Sequence, residues 1–579
     1  MGQPRGEHDQ ARDRAGRLRE VRPEGPRQGP RDPEEDETLR LTVDERSKLG
    51  EIAESLVRPS SVVAVCAYGS KVAGYARPDS DYDLIVVAKR FREGVRYKYV
   101  GDDVAASALI VDEGLLLQDA RASSLGEFVV GRFLNVYEPI RNSELFRVAE
   151  TEYKRRVMIE ALLELSSDYG DFCRHLLVPF DYFLFDKLRR RAVVYPPALY
   201  SYAQTYSCSL GAENRAISSD GFREAAASLL ARGYFSMEGA GVRMNPEKMK
   251  GDAFTKVQSI FALTTRGVTQ YAVHGYAGRV GFSVFRKEAE SKLRRMREQP
   301  APLPELERPR MLLRLDEGAV IPDASRLEMD VARLLGFSEF AADERLIGDP
   351  YSTTRVLTFR GAGRETSVVL KNFSDIRSLK WALLGVWAAA ANKFRMTPLA
   401  RLDREYAVTR ALRAAGVPVP TIIAVSLDVR ILVKEFVEGE ALSKAIDGFC
   451  KSGAGGLTQV AEYGRLMSRV HAAGYALGDA KASNVIVSPR GLTLTDLEQA
   501  DPGGDEAWDV AEFVYYTAKL SNKEGAMKQV AQAFLQAYAA EGSREVVSKA
   551  SSVKYLRPFQ PFLLPALAKS LRELMLAYA

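Results

Sequence analysis

Large apolar residues are nearly missing from residues 1–38, where Arg, Asp, Glu, Pro and Gly are interspersed. Such a segment buries too little surface to offset its ordering entropy, so a solvated tail of mixed charge is expected. From Leu39 the pattern changes. Leu49, Ile52 and Leu56 recur at helical spacing. Val62–Ala67, Leu84–Val87 and Ala106–Val111 are apolar runs of strand length. "TEYKRRVMIEALLELSSDYGDFCRHLL" reads as helix. Phe222, Ala226, Leu229 and Leu230 form a helical face ahead of two short strands, Tyr234-Phe235 and Val242-Arg243-Met244, around a glycine-bearing turn. Between these, Arg189-Arg190-Arg191 interleave with Tyr195, Tyr200, Tyr202 and Tyr206. That pattern suits an RNA-facing surface, and equally tyrosines packed on helices.

"SKLRRMREQPAPLPELERPRM" breaks the pattern with proline and charge. Beyond it, Ser325 with Glu328 predicts a capping box before a helix bearing Leu327, Val331, Leu334 and Leu335. "LIGDPYSTTRVLTF" and "TSVVLKNF" predict a hairpin ending at Lys371. The next stretch, with Trp381 and Trp387, is apolar on most sides and predicts a buried helix. Leu399, Leu402, Tyr406 and Leu412 mark the inner face of another helix, and "ILVKEFVEGE" a strand. "LLPALAKSLRELMLAYA" predicts an amphipathic closing helix.

Composition adds bounds. A chain of 579 residues exceeds one core, and 46% hydrophobic content is ordinary for a globular protein. No apolar run reaches the ~20 residues of a membrane span, and no signal-peptide core opens the chain, so a cytoplasmic protein without membrane contact is expected. Cys66, Cys173, Cys208 and Cys450 are too dispersed for a metal site and read as reduced thiols. The net charge of +5 permits an RNA partner without arguing for one.

The densest chemistry lies in "VHAAGYALGDAKASNVIVSPRGLTLTDLEQA". Asp479 and Asn484 are five residues apart in a polar loop, and Asp496 follows the apolar segment Leu492–Thr495. Phosphoryl transfer from ATP needs one carboxylate for the attacking hydroxyl, and an amide oxygen and a second carboxylate for magnesium. Upstream, Lys371 closes a Val-Val-Leu-Lys run, as the phosphate-binding lysine does in kinases, and Glu405 is its candidate partner. Gly348, Ser352 and Thr353 would cover the phosphates, Glu435 to Val437 would form the adenine hinge, and Asp509 would brace the loop. Leu477-Gly478-Asp479 and Asp496-Leu497-Glu498 stand where ordinary kinases have His-Arg-Asp and Asp-Phe-Gly. In both respects the chain resembles the RIO kinases and the kinase subunit of the KEOPS complex, and also the aminoglycoside and choline phosphotransferases. The resemblance implies a bilobal protein-kinase-like fold.

A second site lies in "VVAVCAYGSKVAGYARPDSDYDLIVVA". Gly69 lets a triphosphate approach the backbone and Ser70 can donate to it. Asp81 and Asp83, two apart entering a strand, face one side, where two carboxylates call for a divalent cation. Gly-Ser, a short helix and Asp-x-Asp resemble the polymerase-β-like nucleotidyltransferases. The resemblance implies a third carboxylate on a later strand. Asp112 supplies the candidate, as ligand and base, with Asp102 and Asp103 as rivals.

The fold class expected is thus multidomain α/β and α+β. A tail at 1–38 precedes a nucleotidyltransferase head of mixed sheet and helices at 39–150. A helical middle at 151–298 either resembles a winged helix or extends the head. A linker at 299–320 leads to the kinase-like domain at 321–579. Both sites would use Mg2+ or Mn2+ with ATP or another NTP. The resemblance implies nucleotidyl transfer by the head and phosphoryl transfer to a hydroxyl of RNA (tRNA or rRNA) or of protein by the C-terminal domain. The alternatives are a small-molecule phosphotransferase and an ATP-switched binding module.

Overall fold

A capping box starts helix α1 (Val43–Leu56): the Thr42 side chain accepts from Glu45 N and the Glu45 side chain returns the bond. The structure is a computed structural model and describes residues 40–101, 104–196, 198–250, 303–347, 353–373 and 397–579. The expected tail, Asp102, Asp103, Gly348, Ser352, Trp381 and Trp387 lie outside these residues.

The apolar runs of the head become β1 (Val62–Tyr68), β2 (Tyr82–Ala88) and β4 (Ala106–Asp112), joined by β3 (Val95–Val100) and β5 (Tyr137–Arg141). The sheet order is β3-β4-β2-β1-β5, with β2 and β4 parallel and the other pairs antiparallel. Alternation along the strands gives the sheet two apolar faces. Val65, Ala67, Leu84, Val86 and Ile110 pack beneath α1. Cys66, Ile85, Val87, Leu109 and Val111 face the other way, into a core shared with α3 (Glu113–Ala122) and the 27-residue α4 (Ser143–Tyr169). The short α2 (Ser70–Ala73) links β1 to β2.

The middle region follows the turn Gly170–His175. It holds β6 (Leu176–Pro179), α5 (Phe180–Val194), α6 (Ala198–Ser207), α7 (Gly211–Leu229), the hairpin β7 (Phe235–Glu238) and β8 (Gly241–Met244), and α8 (Pro246–Lys250). Three helices follow β6, and the hairpin then returns onto it. The core of this region is continuous with one face of the head. The exposed side of α7 carries Glu213, Asp220 and Glu224 against Arg223, a poor match to nucleic acid. The basic and aromatic stretch follows the second of its two readings and turns largely inward, with Tyr195 and Tyr200 half-buried. Arg190 pairs with Asp186 and Glu164, Arg191 is buried against Glu127 and Tyr202, and Tyr202 and Tyr206 are core residues. Only Arg189 of the three arginines is exposed, because α5 is enclosed on most of its circumference.

The proline-rich stretch is more than a spacer. After α9 (Pro304–Glu307), β9 (Arg314–Leu315) joins the middle sheet in the order β7-β8-β6-β9. Four residues later β10 (Ala319–Val320) joins the next sheet, so that sheet begins before residue 321. A short turn, Ala324–Arg326, comes first and is capped by Asp323, which accepts from Ser325 N; α10 (Leu327–Leu334) follows with Arg326 at its N-cap and no side-chain cap, so the expected Ser325 capping box is not formed. Ser325 lies inside that turn and not at the N-cap position of α10.

β11 (Ala341–Leu346), β12 (Thr354–Gly361), β13 (Arg364–Asn372), β14 (Ile422–Ser426) and β15 (Ile431–Glu435) complete a six-stranded sheet, order β10-β14-β15-β13-β12-β11. α11 (Pro398–Ala414) lies against it. The remainder is largely helical: α12 (Leu442–Ser452), α13 (Leu457–Ala472), α14 (Glu506–Thr517), α15 (Glu524–Glu541), α16 (Arg544–Ala550), α17 (Val553–Leu556) and α18 (Pro565–Ala577) enclose one core. Short strands β16 (Glu440–Ala441), β18 (Val485–Ser488) and β19 (Gly491–Leu494) form a small sheet, and β17 (Tyr475–Ala476) pairs with β20 (Asp501–Pro502). Among the described residues no helix is long and apolar enough to cross a membrane.

Candidate active sites

The C-terminal site is built where β13, α11 and the β18–β19 hairpin converge. Lys371 Nζ, on a side chain only 5% exposed, lies 2.5 Å from Glu405 Oε2, 2.5 Å from Asp496 Oδ1 and 3.0 Å from Glu498 Oε2. Burial pulls the Lys371 ammonium down, but Asp496, Glu405 and Glu498 outweigh it and hold it well above its ordinary value. Glu405 also takes Lys434, so two ammonium groups flank one buried carboxylate; burial would raise its pKa and they depress it. Arg401, one helical turn before Glu405, pairs with Glu498. Three acids and three bases thus close a nearly neutral, buried network, the arrangement that buried charge requires.

The loop is held from below. Asp509 accepts from Gly478 N at 2.8 Å and from Leu477 N, and lies 3.1 Å from His471 Nε2, whose Nδ1 lies 2.8 Å from Tyr538 Oη. Gly478 has φ +68°, and a Cβ there would meet the Gln499 carbonyl oxygen at 2.5 Å, so only glycine fits. Asn484 Nδ2 donates to the Asp479 carbonyl at 2.9 Å and to Asp479 Oδ2 at 3.1 Å. Thr495 N donates to the Asn484 carbonyl at 2.8 Å, and Val485 pairs with Leu494. The hairpin therefore brings Asn484 and Asp496 to one end. Asp496 has φ +60°, a backbone state that aspartate tolerates better than most residues. Thr353 donates to the Asn372 carbonyl beside Lys371, and Glu435 accepts from Thr421 at the end of β15, with Val437 just beyond.

Several participants were not singled out in the sequence. Lys481 pairs with Asp479, and burial, which would lower its pKa, is outweighed by Asp479 and Glu512. Glu512 accepts from Ala480 N, and burial, reinforced by Asp479, raises its pKa well above the carboxylate range. Lys434 carried a visible signal, a lysine inside an apolar strand. Arg401 and Glu512 carried none, because helix periodicity does not reveal which polar residue meets a distant loop.

In the head, β1 and β2 pair Tyr68 with Asp83, and β2 and β4 pair Asp83 with Ser107. Gly69, at φ +81°, lies under the Asp83 carboxylate: a Cβ would come within 2.1 Å of its Oδ2. Ser70 opens α2 directly beside it, and Asp81 precedes β2. Asp112 is not brought to this site. It pairs with Ala88, five rungs along from Asp83, or about 16 Å at strand rise. Its carboxylate instead caps α3, accepting from Gly114 N at 3.0 Å and Phe91 N at 2.9 Å. The expected third ligand and base is thus corrected to a structural cap. Arg132, which was also missed, donates to Tyr68 Oη at 3.0 Å and lies over the Phe128 ring.

Hard oxygen donors suit a divalent cation at both places. Among the described residues, the carboxylates of Glu405, Asp496 and Glu498 form the one group of three within 4.8 Å of one another. Of these, Asp496 is the side chain open to the cleft, 35% exposed.

Comparison with known proteins agrees with this division. The family model for the nucleotidyltransferase domain matches residues 49–191, which run from α1 through most of α5. A serine/threonine-protein kinase BUD32 homologue assigned in Archaeoglobus fulgidus is 28% identical over 158 residues, 27% of this chain and 75% of that protein. Among solved structures, WaaP in complex with acyl carrier protein matches at 15% identity and a TM-score of 0.25, covering 44% of this chain and 98% of that one. A Ralstonia eutropha protein assigned as an aminoglycoside phosphotransferase matches at 13% identity and a TM-score of 0.23, with the same coverage. The chain thus contains a stretch, residues 49–191, that matches the nucleotidyltransferase domain, and a further 158-residue similarity to a BUD32 homologue.

Proposed function

We propose that the C-terminal half transfers the γ-phosphoryl group of ATP to an acceptor hydroxyl. The observation that carries this reading is the Lys371–Glu405 pair set against Asp496, with Asp479 and Asn484 on the adjoining loop. Lys371 would hold the phosphates, and Glu405 would keep its ammonium in place. Asp479 would orient the acceptor hydroxyl and receive its proton. Asp496 and the side-chain oxygen of Asn484, which accepts a long 3.4 Å bond from Ser483 Oγ, would hold magnesium, which supplies charge neutralisation on the phosphates when bound. Thr353, with Gly348 and Ser352, would cover the phosphates, and the Glu435–Val437 backbone would read the base.

The acceptor in this reading is anionic. Lys481, which pairs with Asp479, lies 5.1 Å from the centroid of the Tyr516 ring, and Lys519 lies 3.3 Å from the same centroid. Cations beside the acceptor carboxylate favour a phosphate-bearing hydroxyl, such as one in RNA, over a polycationic small molecule. In the head, Gly69, Ser70, Asp81 and Asp83 would bind an NTP and a divalent cation for nucleotidyl transfer, with Asp112 excluded.

The test is transfer from γ-labelled and α-labelled ATP, in parallel, to pools of RNA, protein and small molecules. Label from γ-ATP on RNA, lost in Asp479→Asn, supports the reading. Label on an aminoglycoside-like pool alone, or ATP binding without any transfer, would count against it.

A further inference from the structure

The N-terminal half grips the helix that carries Glu405. α4 starts in the core of the head and runs 27 residues, about 40 Å, to the turn Gly170–His175. That turn lies on α11. Asp403, 6% exposed, takes the Arg174 guanidinium and lies 3.0 Å from His175 Nε2. The Tyr406 ring packs against Phe172 and His175 at centroid distances of 5.2 and 5.0 Å. Tyr406 Oη donates to the Glu317 carbonyl at 2.9 Å and accepts from Glu317 N at 3.2 Å, which ties the same helix to the segment between the sheets. A turn further on, Arg410 meets Asp316 at 2.7 Å, and Asp316 is shared with Arg243 of β8.

Asp403 and Glu405 are two residues apart on a helix, so they point to different sides. Glu405 faces Lys371 and Lys434, while Asp403 faces the N-terminal half. Rotation of α11 therefore moves both together. Placement errors of about 1 Å matter at a phosphate-binding lysine.

We propose that Asp403 is a positioning residue, through which the Arg174–His175 turn fixes the rotation of α11 and so the Lys371–Glu405 pair. The head and middle then serve as a built-in support for the C-terminal site. This inference rests on the phosphotransferase reading above.

The test uses the full chain. Arg174→Gln removes a guanidinium whose side chain is 45% exposed, so the fold is not at risk, and Asp403→Asn changes the buried partner. Both are made alone and in a Glu405→Gln background. Turnover, the ATP KM and hydrogen exchange over Pro398–Ala414 are measured. Each single variant is expected to lower kcat/KM for ATP about tenfold, an ordinary size for coupled neighbours. Exchange across α11 should rise, and the loss should shrink to about twofold when Glu405 is already replaced. Equal losses in both backgrounds would overturn the inference, as would unchanged exchange and turnover. A wild-type chain without ATP turnover would sink the phosphotransferase reading instead. Exchange alone then decides the support: faster in Arg174→Gln upholds it, and unchanged overturns it.

Discussion

Arg401 Nη1 lies 3.3 Å from Glu498 Oε1, and neither side chain reaches solvent. Glu498 stands where ordinary kinases have glycine, so the extra carboxylate acts as counter-ion to a helix that also presents Glu405. Removing one member leaves the other charged and buried. Glu498→Ala is expected to cost about 3–5 kcal/mol in urea unfolding. Replacing both partners by methionine should recover much of that loss, and a double variant as unstable as the single one would refute this role.

Asp479→Asn should reduce phosphoryl transfer by about 10²–10⁴-fold, the usual range for a positioned base, while ATP affinity stays within about twofold. Lys371→Ala should weaken ATP binding and transfer together, since it leaves Glu405 and Asp496 facing each other. Titration of ATP and label transfer, run on both variants, separate the two roles.

Asp83 and Asp112 should part company. Asp83→Asn is expected to weaken Mn2+ binding by the head about tenfold, as loss of a carboxylate ligand does. Asp112→Ala should leave that affinity unchanged and cost about 1 kcal/mol of stability through the lost cap of α3. Both measurements belong in an Asp496→Asn background, so that the second site does not contribute. Weakened Mn2+ binding in Asp112→Ala would return it to the site.

Acid should loosen the support of α11. Burial alone would raise the Asp403 carboxyl, but His175 and Arg174 outweigh it and hold it below its ordinary value. A depressed folded pKa contributes stability that is complete above the unfolded value, about 3.9, and is lost as pH falls through the lower folded value. The stability gap between wild type and Arg174→Gln should therefore be constant from pH 7 to about 4.5 and narrow below. A gap that widened in acid would contradict the assignment.

Local signals carried much of this architecture. Strand-length apolar runs located β1, β2 and β4, because a buried sheet demands them. The spacing of Asp479, Asn484 and Asp496 was legible because a short hairpin places all three. Asp112 misled for a physical reason: its position after a strand is equally that of a helix cap, and register, which separates the two, is a long-range property. Ser325 misled similarly, since a short turn precedes the helix and puts Arg326 at its N-cap. The grip on α11 was invisible, because Asp403 lies over 220 residues along the chain from Arg174 and His175.

β9 and β10 lie on either side of Gly318, one hydrogen-bonded into the middle sheet and the other into the kinase-like sheet. The chain therefore has no clean place to be cut between its two halves. A fragment starting at 321 would strip β14 of its parallel neighbour and bare an edge, the kind of surface that recruits foreign strands and aggregates. A fragment ending before 314 would do the same to β6. Expressed apart, each half would be a poor proxy for its behaviour in the whole, and recombination that exchanged either half as a cassette would have to carry this seam along.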